Sequence, residues 1–231
     1  NGLSRMLQFI DKGKFYLYIL IFFILLSVHN INYANSLNHF FKIKKVIIES
    51  TIEENLSKEI SKSLKYLYNK NIFLINSKDI SSILDNFNTI GKYNIRKNYP
   101  SIIRIKIKET DILAYFIDNN QKTFVGNNGK KIINKNIKDK IPLIIGRVNI
   151  QEFLAFKIKL EKNGFSLDDF NKFYTYKSGR WDLMYKNKII IKLPKDDLDN
   201  SLIILKKIIN NNNLDNLNVI DLRIQKKIIL S

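Results

Sequence analysis

A continuous apolar segment stands near the start of the chain, where residues 15–28 read FYLYILIFFILLSV without a charged side chain. Extended to residue 34, it has about twenty residues, the length of a transmembrane helix. Three basic residues come before it: Arg5, Lys12 and Lys14. Because positive residues stay on the cytoplasmic side, we expect a cytoplasmic tail over 1–14, a transmembrane helix over 15–34 and export of the remainder. The predicted anchor residues are Phe15, Ile21, Phe22 and Leu26.

A cleaved signal peptide is the alternative interpretation of this segment, because its apolar region of about 7 to 15 residues would match the same run. Cleavage requires small residues at the third and first positions before the cut. The candidate site around Ala34 is poor, since Asn32 and Tyr33 come ahead of it. The sequence therefore favours a retained anchor.

The pattern after the anchor predicts a small folded unit over residues 41–109. Residues 41–50 alternate as a strand does, and apolar residues then recur at helical spacing over 52–69. Thr51 and Glu54 have the spacing of a capping box, in which the two side chains bond the unpaired amides at a helix start. We therefore expect a strand followed by a helix with a defined first turn.

A second helix with Ser77 or Asp79 near its start is expected next, and strands over 90–96 and 102–109 follow. The last of these strands alternates strictly, with three isoleucines on one face: Ile103, Ile105 and Ile107. The order strand, helix, helix, strand, strand predicts an α+β unit in which both helices cover one face of a three-stranded sheet.

The remainder, residues 110–231, reads as a mostly antiparallel β domain with two helices. The helices are expected over 150–162, ending near Gly164, and after Pro194. Three short apolar runs after the first helix predict a meander. The segment 218–230 closes the chain as a strand or a bent pair of strands.

Composition narrows the possible functions. The sequence contains no cysteine, which excludes thiol catalysis, thiolate metal sites and disulfides. The net charge of +18 suggests nucleic acid or anionic lipid as partners. The basic residues are mostly lysines scattered along the chain, in a sequence equally rich in Ile and Asn, so base composition explains much of the charge and we expect no nucleic-acid binding.

Candidate catalytic groups are few. The two histidines, His29 and His39, lie beside the predicted membrane interface, where solvated roles are expected. The adjacent pairs Asp168–Asp169 and Asp196–Asp197 suit helix starts better than acid–base work. The motif GNNG at 126–129 reads as a turn, and Trp181 reads as a core residue. We therefore expect no enzyme activity, cofactor, metal or small-molecule substrate.

The order of several short motifs resembles a known family. Residues 46–60 and 98–109 resemble a POTRA module, with Tyr99, Pro100, Ile105 and Glu109 on its closing pattern. The later motifs are TFVGNNGKKI, IPLIIG, W.L.....I.IKL and finally VIDLR at 219–223. Together they resemble the bacterial cell-division family FtsQ, called DivIB in Gram-positive bacteria, from the anchor to the last residues given.

The resemblance implies a non-enzymatic, single-pass protein of the inner membrane, with its folded part in the periplasm at the division septum. It implies a scaffold that joins the FtsB and FtsL pair to the septal machinery by adding an FtsB strand to its C-terminal strand. Arg223 falls on the family's Arg, and Ile224 stands where an aromatic residue is usual. The predicted partner-binding residues are Arg223, Ile224, Gln225, Lys226, Lys227 and Ile228.

Strand pairing makes the same expectation physically reasonable, because an edge strand offers unpaired backbone groups to another chain. An ordinary terminal strand, blunted by Lys226 and Lys227, remains the alternative at the residue level. Lys177 and Arg180 are further candidates for contact with acidic partner residues. At the level of function, the alternative is a POTRA-containing component of envelope assembly or secretion.

Overall fold

The computed structural model describes residues 12–27, 39–133, 135, 137, 140–186, 188–211, 214, 217–224 and 228–230. The first helix, α1, covers Lys12–Ser27 and exposes its side chains from residue 13 to residue 26. Within these ranges, no helix has both the length and the apolar character that a membrane crossing demands. The predicted anchor residues Phe15, Ile21, Phe22 and Leu26 all lie on α1, whereas 28–34 of the predicted span and His29 fall outside the described residues.

The first folded module is an α+β unit of the predicted order. Its elements are β1 (Lys45–Ser50), α2 (Glu54–Ser63), α3 (Ser77–Leu84), β2 (Ile90–Asn98) and β3 (Ile102–Glu109). The sheet order is β1-β3-β2, with β1 parallel and β2 antiparallel to the central β3. The expectation of a three-stranded sheet with two helices is confirmed.

The apolar spacing of this module places its core. The buried side chains of α2, the short 3-10 turn after it and α3 meet those of β3 in one cluster: Ile60, Leu64, Leu67, Ile80, Leu84, Ile103, Ile105 and Ile107. Because the three isoleucines of β3 share one face, both helices cover that face. Each fully buried isoleucine contributes about 1.5–3 kcal/mol relative to an exposed one.

Two local predictions in this module were wrong. The capping box at Thr51 does not form, since α2 begins at Glu54 after Glu53 with no side-chain cap. The hydroxyl of Thr51 instead accepts a hydrogen bond from the backbone N–H of Glu109, at 3.4 Å. The strand expected from residue 41 begins only at Lys45, because residues before it pair with the loop after α2, through a bridge between Lys42 and Asn71.

The second module is built on a sheet of nine strands. Its elements are β4 (Ile112–Asp118), β5 (Gln121–Gly126), β6 (Lys131–Ile133), β7 (Leu143–Gly146), α4 (Ile150–Lys162), β8 (Phe170–Thr175), β9 (Trp181–Tyr185), β10 (Ile189–Lys192), α5 (Leu198–Asn211), β11 (Val219–Asp221) and β12 (Ile229–Leu230). The strand order is β12-β11-β10-β9-β8-β7-β4-β5-β6.

Five of the eight neighbouring pairs in this sheet are antiparallel, in agreement with the prediction. The other three pairs, β7–β8, β10–β11 and β4–β7, are parallel. The first two are joined through a helix, α4 and α5 respectively, whereas β4 and β7 are joined through β5 and β6. The predicted meander is β8-β9-β10, and the predicted bent pair at the end of the chain is β11 with β12.

Aromatic side chains from α4 and the central strands form the core of this module. The ring of Trp181 stacks on Phe156 with centroids 4.6 Å apart and planes 7° from parallel. Phe153 contacts Phe173 edge to face. The prediction that Trp181 belongs to the core is confirmed, since it is buried here.

The turn at 126–129 joins the two modules. The side-chain amide of Asn128 donates hydrogen bonds to the carbonyls of Asn88 and Ile90, at 2.8 Å each, which lie just before and at the start of β2. A Cβ at Gly126 would come within 2.5 Å of the Asn128 Oδ1 atom, so a larger residue here would displace the Asn128 side chain. The motif is a turn, as expected, and the structure gives it a role in packing the modules together.

Candidate partner-binding site

The C-terminal end of the nine-stranded sheet is the location that the sequence singles out for a partner. Strand β12 is the last in the sheet order and pairs antiparallel with β11, Ile229 opposite Asp221 and Leu230 opposite Ile220. Among the described residues, no strand pairs with the other side of β12. Its backbone groups on that side are therefore available for pairing with another chain.

A row of charged residues crosses the sheet towards this edge. Lys192 on β10 lies opposite Asp182 on β9 and also opposite Asp221 on β11. Directly opposed residues in a sheet put their side chains on the same face. Asp182 and Asp221 are both buried, and a buried carboxylate requires a positive partner. Lys192, which lies between them, and the nearby Arg180 and Arg223 supply that charge.

Arg223 is the principal partner of Asp221. Its Nε atom lies 2.8 Å from Oδ1 and 3.0 Å from Oδ2 of that carboxylate, and its backbone N–H donates to Oδ1 at 3.1 Å. These hydrogen bonds hold the pKa of Asp221 below its ordinary range and outweigh the opposing effect of burial, with Lys192 adding a weaker attraction. The same contact raises the pKa of Arg223. The pair thus fixes how the chain turns after β11.

A second charge pair lies beside the first. Asp182 accepts a hydrogen bond from the Tyr176 hydroxyl at 3.0 Å and forms an ion pair with Arg180, Nε to Oδ1 3.3 Å. The guanidinium of Arg180 lies 4.2 Å from the centre of the Tyr176 ring. Arg180, predicted as a partner contact, is therefore engaged within the chain, whereas Lys177 in the same turn is exposed.

An apolar groove of about 620 Å³ runs alongside the edge, between α5 and the chain that follows β11. Its apolar wall consists of Ile203, Ile204, Leu222, Ile224 and Ile228. Its polar rim includes Asp196, Asp197, Asn200 and Lys207. Ile224 and Ile228 are 54% and 47% exposed, so the apolar wall of the groove is open to solvent.

The predicted partner-binding residues are only partly gathered at this site. Arg223 and Ile224 lie in the bend between β11 and β12, and Ile228 directly precedes β12. Gln225, Lys226 and Lys227 lie outside the described residues. The sequence did not single out Asp182, Lys192 and Asp221. The signal that points to two of them is an aspartate inside an otherwise apolar strand, in WDLMY and in VID.

The other candidates from the sequence contribute no catalytic geometry. Asp169 accepts a hydrogen bond from the Ser166 N–H as part of a capping box, and Asp197 accepts one from the Asn200 side chain, so both serve local turns. His39 is exposed in the first module. The described residues contain no group of three or more histidines and acidic residues arranged to hold a metal ion.

Two family models match consecutive parts of the chain, one in each module. The POTRA domain, FtsQ-type, matches residues 41–110, and the model described as cell division protein FtsQ/DivIB, C-terminal, matches residues 113–223. The second match covers β4 to β11 and ends at Arg223, at the site described above.

Similar proteins carry the same description. The cell division protein FtsQ of Rickettsia bellii is 29% identical over 192 residues, which are 81% of this chain and 71% of that protein. Those of Rickettsia typhi and Rickettsia prowazekii are each 28% identical over 192 residues, with the same shares of each chain. With its two modules matched in order by the family's own models, this chain belongs to the FtsQ/DivIB family of cell-division proteins.

Proposed function

We propose that this chain is a non-enzymatic scaffold of the division septum that captures an FtsB-type strand at the open side of β12. The observation that carries the proposal is the position of β12 at the end of the nine-stranded sheet. A strand added there gains backbone hydrogen bonds for affinity and pockets for alternate side chains for specificity. An FtsL-type protein would then be recruited through its FtsB-type partner.

The charge row supports this assignment because it stiffens the sheet up to its edge. Asp221 lies on β11, opposite Lys192 of β10 and Ile229 of β12. Its hydrogen bonds with Arg223 therefore hold in place the strand with which β12 pairs. A rigid edge is a better template, since less conformational entropy is lost when a second chain binds. Arg223 is in this proposal a positioning residue for the edge.

The groove beside α5 supports the choice of ligand. An added strand directs every second side chain to one face of the sheet. The apolar wall formed by Ile204, Ile224 and Ile228 suits an aliphatic or aromatic side chain of that strand. Lys177, exposed in the β8–β9 turn, remains a candidate contact for an acidic residue of the partner.

The proposal includes an anchor in the inner membrane through residues 15–34, with the two modules in the periplasm. It is supported by the apolar side chains of α1 and by the basic residues before them. The anchor would keep the whole chain at the membrane, where single-pass partners are available.

The experiment that tests the docking edge is capture of the periplasmic segment of an FtsB-type protein from the same genome by the purified full chain. Consecutive residues of an antiparallel strand direct their backbone groups to opposite sides. One of the two residues Ile229 and Leu230 therefore directs its backbone N–H and C=O towards β11, and the other directs them towards the open side. Each is changed to proline, and Ile229→Ala is the matched control, because it keeps the backbone N–H.

We expect the proline on the open side to abolish capture while the thermal unfolding transition stays unchanged, and Ile229→Ala to retain capture. The proline on the β11 side should lower the unfolding temperature. Capture at the wild-type level by both proline variants would show that the partner does not pair with β12.

A further inference from the structure

The first module carries a row of aromatic rings, of which Phe41 packs against the core and the others are exposed. Phe41 contacts Phe40 and Phe73 with ring centroids 5.3 and 4.9 Å apart, and Phe73 stacks on Tyr99 at 4.8 Å. Phe40, Phe73 and Tyr99 are each more than half exposed, and Leu74 beside them is 83% exposed. We name Phe40, Phe41, Phe73, Leu74 and Tyr99 the aromatic patch. Contiguous exposed apolar surface of this kind marks a binding site for a protein or a membrane.

The aromatic patch lies at the end of the module where the chain enters. The backbone N–H of Ile72 bonds the carbonyl of Phe41 at 3.0 Å, and that of Lys44 bonds Ser101 at 2.9 Å, so the entering segment lies between the loops that carry Phe73 and Tyr99. The opposite end of the module, at Ile90, is bound by Asn128 of the second module. Strand β2 spans the roughly 27 Å between the two ends.

The chain segments that carry the aromatic patch are basic. Residues 39–45, 65–75 and 96–101 contain seven lysines and arginines and no acidic residue: Lys42, Lys44, Lys45, Lys65, Lys70, Arg96 and Lys97. Lys44 and Lys45 are exposed. An apolar aromatic surface with a positive rim is complementary to an anionic lipid surface, where aromatic rings occupy the interface and lysines meet headgroups.

The length of chain before the aromatic patch favours a membrane as its occupant. Eleven residues, 28–38, separate the end of α1 at Ser27 from residue 39. Fully extended, they reach at most about 40 Å. The proposed anchor extends to residue 34, so only residues 35–38 lie between it and residue 39, and they reach at most about 18 Å. The entry end of the module is therefore held close to the bilayer surface.

We propose that the aromatic patch seats the first module on the anionic surface of the membrane in which the chain is anchored. This inference rests on the proposed anchor. Contact between the first module and the lipid would then set the orientation of the whole molecule. The length of that module would hold the β12 edge away from the lipid.

The test uses the full chain reconstituted in phosphatidylcholine vesicles with and without phosphatidylglycerol. Each vesicle type is also prepared with brominated acyl chains, which quench the fluorescence of a tryptophan that contacts the lipid. Phe73→Trp and Leu74→Trp place a reporter in the aromatic patch. Ile117→Trp, at a position on β4 with nearly the same exposure as Phe73 (57% against 55%), is the matched control on the second module. Trp181, the one natural tryptophan and buried in the core, gives the baseline in the unmodified chain.

We expect the Phe73→Trp and Leu74→Trp signals, after subtraction of the baseline, to fall by about half with brominated lipid, as for a ring at the headgroup boundary. Ile117→Trp should keep its emission. Lys44→Glu with Lys45→Glu in the Phe73→Trp chain should reduce the quenching in vesicles that contain phosphatidylglycerol.

Unquenched reporters in vesicles with which the protein co-floats would overturn the proposal while leaving the anchor intact. Protection of those reporters only after a division partner is added would assign the aromatic patch to a protein. Loss of co-flotation would refute the anchor and this inference together. Quenching combined with failure to capture an FtsB-type segment would refute the docking edge alone.

Discussion

Asp221 is a buried charge next to the open sheet edge, and Arg223 is the side chain that pairs with it. We predict that Arg223→Gln lowers the free energy of unfolding at neutral pH by about 1–2 kcal/mol, because the buried Asp221 carboxylate loses a charge-assisted hydrogen bond. The effect is this modest because Arg223 is partly exposed and solvent weakens the interaction. Denaturant-induced unfolding measures the difference.

The same variant has a defined pH dependence. The folded chain holds the pKa of Asp221 below its value in the unfolded chain, which is about 3.9. Stabilisation by the pair is therefore complete above that value and is lost as the pH falls through the lower folded pKa. The difference between wild type and Arg223→Gln should shrink below about pH 4. Arg96→Gln, at an exposed site bonded to Asn94 on the same strand, should change little at any pH. An acid-independent difference would show that Arg223 acts through packing alone.

At the scale of single residues, local patterns in the sequence predict which side chains are buried but not which side chains meet across strands. The buried, strictly alternating isoleucines of β3 and the core position of Trp181 follow from local patterns, because burial repeats with the period of the element. The row from Asp182 through Lys192 to Asp221 does not, because it depends on the register of three strands, and β11 reaches β10 only after the intervening helix α5. Register is a property of the assembled sheet.

Helices α3 and α4 begin where a side chain satisfies their first amides, and α4 is the clearer case. The Asn149 side chain accepts hydrogen bonds from the backbone N–H groups of Gln151 and Glu152, at 3.0 and 3.3 Å. We predict that Asn149→Ala lowers the free energy of unfolding by about 1 kcal/mol, the usual cost of removing such a cap. Chemical denaturation measures it. Asn127→Ala, in an exposed turn, is the control, and an equal loss in both variants would contradict a capping role.

Elements with a long regular pattern were predicted to the residue. The helix over 150–162 and the strand over 102–109 have the expected bounds, because their apolar residues repeat over several turns or alternations. The start of α2 was missed for a tertiary reason, since Thr51 bonds Glu109 of the neighbouring strand and is not available as a cap. The parallel pairing of β4 with β7 has no local signal, because the strands are joined through two others.

At the scale of the whole molecule, the relative placement of the modules depends on a few bonds at the turn 126–129. Asn128 bonds Asn88 and Ile90, and the side chain of Asn88 donates to the Lys131 carbonyl at 3.0 Å. If the first module is seated on lipid, this junction determines how the β12 edge is presented to single-pass partners. The junction therefore couples the two proposals.

We predict that Asn128→Ala loosens the junction by about 1–2 kcal/mol while both modules stay folded, because two hydrogen bonds between them are lost. The sequence contains no cysteine, so Ser61→Cys and Lys177→Cys, both exposed and one in each module, can carry spin labels without background. The distance distribution between the labels should broaden in Asn128→Ala. Asn127→Ala, the neighbouring exposed position, should leave it narrow. Equal widths in the two variants would mean that other contacts between the modules, such as the Lys135–Glu109 ion pair and the packing around Gly126, hold them together without the Asn128 amide.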